Sequence, residues 1–166
     1  MEETTQQSTS KLDKANRLIR YHALGAGAIV LVPMPWVDFA GLTGVQVNLV
    51  WNLAKLYGLP FSDELARSLI SALLGSTLSG AIAFGAVATV PFPHVKLVVG
   101  PVVSAAVTYA VGKVFVQHFE AGGTFLTFEP DKVREHFAQE FRKSVSKTQP
   151  VSQPEDFEID YGGIMP

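Results

Sequence analysis

Apolar positions fall into four long runs separated by prolines and glycines, and a fifth, shorter run follows in which charges break in. Helical spacing predicts a first helix starting near Ser10 or Lys11, with Leu12, Ala15, Leu18 and Ile19 set among Lys11, Lys14, Arg17 and Arg20. The charges then stop, and Tyr21 to Val32 is apolar. Pro33 and Pro35 end this run, because proline lacks an N–H donor and pushes the preceding residue out of helix. Asp38 suits the start of a second helix, where a carboxylate meets orphan N–H groups. Leu42, Val45, Leu49, Leu53 and Leu56 mark its apolar face, and Gly58 with Pro60 predicts its end after Tyr57. Ser62, followed by Asp63 and Glu64, predicts the cap of a third helix reaching about Thr89. A fourth helix follows Pro91 and Pro93. Pro101 is best tolerated in a first turn, so this helix either starts after Lys96 or bends there, and it ends near Glu120 before Gly122 and Gly123. Residues 124–128 read as an extended connector that packs Phe125 and Phe128 on the bundle. Pro130 opens an amphipathic helix with Val133, Phe137, Phe141 and Val145 at spacing four.

The proline-rich turn occurs twice. Val32-Pro33-Met34-Pro35-Trp36-Val37-Asp38 returns 58 residues later as Val90-Pro91-Phe92-Pro93-His94-Val95-Lys96. Each copy is predicted to be the tip of a helical hairpin. Asp38 and Lys96 hold matching places with opposite sign; side by side they would form a polar patch, and apart they are ordinary helix-start residues in water. Small residues recur every four positions on the third helix (Ser71, Gly75, Ser79, Ala83) and on the fourth (Gly100, Ser104, Thr108, Gly112). An antiparallel hairpin centred on Pro91 and Phe92 would pair Ser71 with Gly112 and Ala83 with Gly100, letting the two backbones approach closely. The same spacing also arises by chance in a chain rich in Ala, Gly and Ser. The expected fold is all-α: a polar disordered tail over 1–10, a double-hairpin domain over 11–122, a connector and amphipathic helix over 123–147, and a disordered acidic tail over 148–166.

Charge sharpens this picture. Of 28 Asp, Glu, Lys and Arg residues, only six lie between Tyr21 and Gly112, and none between Ser68 and Val95. Ionised groups are costly in hydrocarbon, and about 18 apolar residues suffice for a membrane helix, so the depletion points to membrane lipid; a helix buried in a soluble core is the alternative. The basic first turns suit a cytoplasmic membrane surface, with both hairpins returning their ends to that side. The polar start and missing cleavage site do not read as a secretory signal, and no lipidation motif is evident. A net charge of −2 carries no bias toward nucleic acid, and zero cysteines exclude a disulfide scaffold.

No catalytic, cofactor or metal motif emerges. Gly25-Ala26-Gly27 lies within an apolar helical run without an acidic partner, and there is no P-loop or Gly-x-Ser-x-Gly elbow. His22, His94, His118 and His136 are scattered; His118 and Glu120 would need a third ligand to bind metal, and solvation at a helix end explains them better. Phe137 and Phe141, and the alternating Phe157, Ile159 and Tyr161 of the acidic tail, are candidate partner contacts.

The first tip, with Leu42-Thr43, Gln46 and Leu53-Ala54-Lys55-Leu56-Tyr57-Gly58, resembles the YcjF-like domain of unknown function, as does the run Ala105 to Gly112 ending at Phe119-Glu120. The resemblance covers about Ala15 to Gly122 and rests on packing and turn motifs. It implies a helical accessory module, linked to a membrane and to a P-loop GTPase, and transfers no catalytic residue. Pro93-His94-Val95-Lys96 departs from the glycine-rich form expected at the second tip. The reading that follows is a non-enzymatic, membrane-associated, oligomeric scaffold or anchor. A soluble adaptor for a GTPase or for further copies of the chain, and a small pore lined by Gln46, Asn48 and Asn52, are the other classes the sequence accommodates.

Overall fold

The computed structural model describes residues 2–29, 35–78 and 93–148. Five α-helices and one 3-10 turn make up the described residues, with no strand among them.

Helix α1 (Glu2–Ile29) is 28 residues long and starts well before Lys11, so residues 2–10, expected as a disordered tail, are helical. Ala15, Ile19, Ala23 and Ala26 are its buried stripe. Helix α2 (Pro35–Tyr57) buries Leu42, Leu49, Val50 and Leu53. Its end follows the glycine logic. Gly58 takes φ +71°, and Leu59 N–H donates to Ala54 O at 2.9 Å while Gly58 N–H donates to Lys55 O, which satisfies the last carbonyls. Helix α3 (Asp63–Leu78) starts on a Ser62 cap, with Leu65 N–H donating to Oγ at 3.4 Å.

Helix α4 (Pro93–Glu120) starts at Pro93 and carries Pro101 in its interior. Pro35 and Pro93, the second prolines of the two repeats, both open a helix, where a missing N–H costs nothing. From Ser104 to Phe119, α4 is buried on several sides, as a helix apolar around its circumference should be. The reason lies in its neighbours: α1 and α2 cover one side, and the last helix covers another.

After α4, Gly122 takes φ +80°, and Gly123 N–H donates to His118 O at 2.9 Å, repeating the end of α2. A 3-10 turn (Phe125–Thr127) replaces the extended connector. Thr124 N–H donates to Thr127 Oγ1 at 2.8 Å, a local bond that closes the turn. The packing expected of this segment holds nevertheless: Phe125 and Phe128 are buried, and Phe128 stacks on Phe115 with ring centroids 4.5 Å apart.

Helix α5 (Pro130–Thr148) packs on α4 and α3. Phe137 is 1% exposed and joins the same core as Leu49, Ile70 and Phe115. Helix α5 is thus part of the bundle; its amphipathic face is spent inside this chain.

The proposed pairing of small-residue rows does not hold among the described residues. Gly112 faces α1 and α2: a Cβ there would lie 2.7 Å from Ile19 Cγ1 and 3.1 Å from Leu49 Cδ2. Gly27 likewise fits beneath Pro101 O, 3.1 Å from its would-be Cβ. Gly100, Ser104 and Thr108 are buried, whereas Ser71 and Gly75 are exposed and Gly75 has open space where a side chain would stand. Helix α3 packs on α2 and α5, since α1 already occupies the small face of α4. Ser79, Ala83, Pro33, Pro91, Phe157, Ile159 and Tyr161, the side chains of Asp38 and Lys96, the third helix beyond Leu78 and the acidic tail after Thr148 lie outside the described residues.

Candidate functional site

The antiparallel α1/α2 pair leaves a groove on its outer side. Lys14, Arg17, Leu18 and Tyr21 of α1 and Asn52, Lys55 and Leu56 of α2 line it, around a volume of about 360 Å³. Helical periodicity explains why these side chains share a face: positions 14, 18, 21 and 25 form one stripe of α1, and 44, 48, 52 and 55 one stripe of α2. Leu18 and Leu56 are half-buried against the core, so the groove has an apolar floor under a cationic mouth.

Among the described residues, none of these cations forms an ion pair. The ion pairs among the described residues are Asp63–Arg67 in α3 and Glu129–Lys132, Asp131–Arg134 and Glu140–Lys143 at or in α5. None reaches Lys14, Arg17 or Lys55. Lys55 instead sits over the Trp51 ring, 5.5 Å from its centroid, and Lys11 over Tyr57 at the same distance.

A polar step follows the cationic mouth. His22 Nδ1–H donates to Leu18 O at 2.8 Å, and its Nε2 lies 2.9 Å from the Asn48 side-chain amide. Asn52 Nδ2 donates to Asn48 O at 2.8 Å and to Asn48 Oδ1 at 2.9 Å. Tyr21, at this step, is 67% exposed and Leu24, one turn beyond, 71%, so neither is covered by the described residues. A would-be Cβ at Gly25 or Gly44 has nothing within 4 Å.

The other polar candidates resolve into structural roles. Gln46 points into the core, 1% exposed, away from Asn48 and Asn52, so the three do not line one channel. Gln46 Nε2 and Thr108 Oγ1 are buried and have no hydrogen-bond partner among the described residues. His118 is a clasp: its Nε2–H donates to Thr124 O at 2.9 Å, and its ring packs edge-on against Phe128, at 5.1 Å between centroids. Glu120 is engaged elsewhere, accepting from Tyr57 O–H at 2.5 Å. Burial first, and then the hydrogen bond and charge of Glu120, push the Tyr57 phenol well above its ordinary range. No group of three or more His, Cys, Asp or Glu residues among the described residues could hold a metal ion. Phe137 is core and Phe141 half-buried against it, so these expected partner contacts are internal.

Sequence reasoning picked out Lys14 and Arg17 as part of a basic helix start but gave Lys55 no role. Its signal was available: Lys55 is the one Lys or Arg between Tyr21 and Arg67. One helix among the described residues, over Gly100–Glu120, is long and apolar enough to cross a bilayer, and 61% of its apolar window is buried inside the protein.

The chain matches the family described as "Domain of unknown function (DUF697)" over residues 2–145. It is also similar to "Magnetosome membrane protein 22" of Magnetospirillum gryphiswaldense, with 35% identity over 139 residues, covering 78% of this chain and 69% of that protein. No solved structure matches it. A match across nearly the whole helical bundle, together with a relative at this identity, shows that the chain belongs to the DUF697 family.

Proposed function

We propose that this protein is a non-enzymatic helical scaffold or anchor that associates with a membrane through the outer face of α1 and α2. One observation carries the reading: Lys14, Arg17 and Lys55, which have no ion-pair partner among the described residues, share a groove with exposed Tyr21, and exposed Leu24 follows one turn farther along α1. Cations at headgroup level, an amphipathic aromatic next to them and aliphatic surface beyond match the profile of a membrane interface. The charge-free sequence from Ser68 to Val95 supports it, as does the printed name of the magnetosome membrane relative. The cationic end, and the tails beyond it, take the cytoplasmic side of the cytoplasmic membrane.

Two finer features belong to the same proposal. The YcjF-like resemblance makes a P-loop GTPase the expected protein partner. Self-association uses the small, exposed Ser71 and Gly75 face of α3, which no other helix covers among the described residues. Flotation of the purified chain with lipid vesicles is the test. Co-flotation without added partner is expected, and recovery of all the protein in the lipid-free fraction would overturn the proposal. That second outcome favours a soluble adaptor, a reading supported by the burial of most of α4's apolar window.

A further inference from the structure

The α1/α2 groove is ordered along its length in a way that membrane contact alone does not require. At one end stand Lys14, Arg17 and Lys55. Next come the hydrogen-bonded amides of Asn48 and Asn52 with Tyr21 and His22. Farther along, the two stripes reach Gly25 and Gly44, where a would-be Cβ meets nothing within 4 Å among the described residues. Charge, then neutral polarity, then backbone bare of side chains follows the order of a phospholipid: phosphodiester, ester linkage, acyl chain.

We propose that this groove binds a single anionic phospholipid, with its phosphate held by Lys14, Arg17 and Lys55 and one acyl chain laid past Gly25 and Gly44. The inference rests on the membrane-associated reading and adds a defined lipid class and site to it. Charge complementarity selects the occupant. The three cations have no acidic partner in the described fold, and Arg17 offers the planar fork that matches phosphate oxygens. Leu18 and Leu56, half-buried beneath the cations, favour an occupant that carries an apolar part next to its anion.

The test uses the full chain. It is floated with phosphatidylcholine vesicles or with vesicles containing phosphatidylglycerol, and detergent-solubilised protein is titrated with either lipid and read by native mass spectrometry. Wild type is expected to retain phosphatidylglycerol selectively. Each cation near an anionic headgroup is worth about a fivefold change, so Lys14→Gln, Arg17→Gln and Lys55→Gln together should weaken phosphatidylglycerol binding on the order of a hundredfold. Flotation on phosphatidylcholine should persist. Removing three α5 cations instead (Lys132→Gln, Arg134→Gln, Lys143→Gln) should leave selectivity intact. Gly25→Leu with Gly44→Leu, which fills open space and keeps every cation, should lose the bound lipid.

Wild type that floats on both vesicle types with no preference overturns the lipid site and leaves membrane association standing. Failure to float on either overturns both. Selectivity that survives the groove triple variant overturns the site. So does displacement of the lipid by inorganic phosphate against a chloride control, which would assign the cations to a soluble anion. Selectivity that appears only after Glu155→Gln, Asp156→Asn, Glu158→Gln and Asp160→Asn would make the acidic tail the occupant, and the proposal would fall.

Discussion

Replacing Gly112 with alanine tests the α1/α4 contact that sets the bundle's shape. The new Cβ would stand 2.7 Å from Ile19 Cγ1, 3.2 Å from Ile19 Cδ1 and 3.1 Å from Leu49 Cδ2. Carbon atoms at rest sit about 3.5–4.0 Å apart, so the closest approach is short by about 1 Å. Neither neighbour can retreat easily, since Ile19 and Leu49 are both fully buried. Overpacking of this kind costs about 1–3 kcal/mol, while alanine gains about 1 kcal/mol of helix propensity over glycine. Gly75→Ala supplies the control, because that position is in a helix with open space around it and carries the propensity gain alone. Urea unfolding followed by far-ultraviolet circular dichroism should therefore place Gly112→Ala about 1–3 kcal/mol below Gly75→Ala, a difference in which propensity cancels. In an Ile19→Ala background most of this difference should vanish, because the clashing Cγ1 and Cδ1 atoms are gone. Equal effects at the two glycines, or a penalty indifferent to Ile19, would refute the packing of α1 on α4. Equal penalties are also what a pairing of the α3 and α4 small-residue rows demands.

Phe137→Ala should cost about 3–5 kcal/mol, the value for a buried aromatic, and should release α5 to hydrogen exchange before the other helices; a loss below 1 kcal/mol would return Phe137 to the surface. Gly123→Ala puts a Cβ 2.3 Å from His118 Nε2, so it should break the clasp on Thr124 at a cost of about 1–2 kcal/mol, and His118→Ala with Gly123→Ala should cost little more than either alone in thermal unfolding. Tyr57 has a raised pKa in the folded state, so its contribution is complete below the ordinary phenol range and is lost as pH rises toward the folded value. Tyr57→Phe should cost about 1 kcal/mol at neutral pH, discounted for partial exposure, and should flatten the alkaline fall in stability; an unchanged alkaline limb would count against the Glu120 contact.

Local chemistry made much of the fold legible. The Ser62 cap and the two helix ends at Gly58 and Gly122 depend on contacts within a few residues, so the residue types specify them directly. The Pro-x-Pro repeats marked breaks between helices, but the helices that follow start at their second prolines, Pro35 and Pro93, ahead of Asp38 and Lys96. The 3-10 turn was hidden because Thr124 closes on its own Thr127 side chain, a bond that alternating Thr and Phe disguise as strand periodicity.

Partnership between helices was not local, and there the pattern misled. Two rows of small residues with matching spacing state that close approach is available on α3 and on α4; they do not state which helix takes the offer. Helix α1 won the α4 row, because Ile19 and Ala105 fit over Gly112 and Gly27. Helix α3 then turned its apolar stripe to α2 and α5, leaving Ser71 and Gly75 at the surface. The groove arose in the same way. Lys14 and Arg17 are readable as a basic helix start, but Lys55 stands 38 residues beyond Arg17 and meets them only when α1 and α2 lie antiparallel. The sequence by itself determined that the chain is helical, where the glycine-marked helix ends at Tyr57 and Glu120 fall, which faces are apolar and where charge is excluded, since these follow from spacing and backbone chemistry. Tertiary structure decided which apolar faces meet and which cations share a groove, because side-chain volume, not periodicity, selects among neighbours that the same stripe would accept.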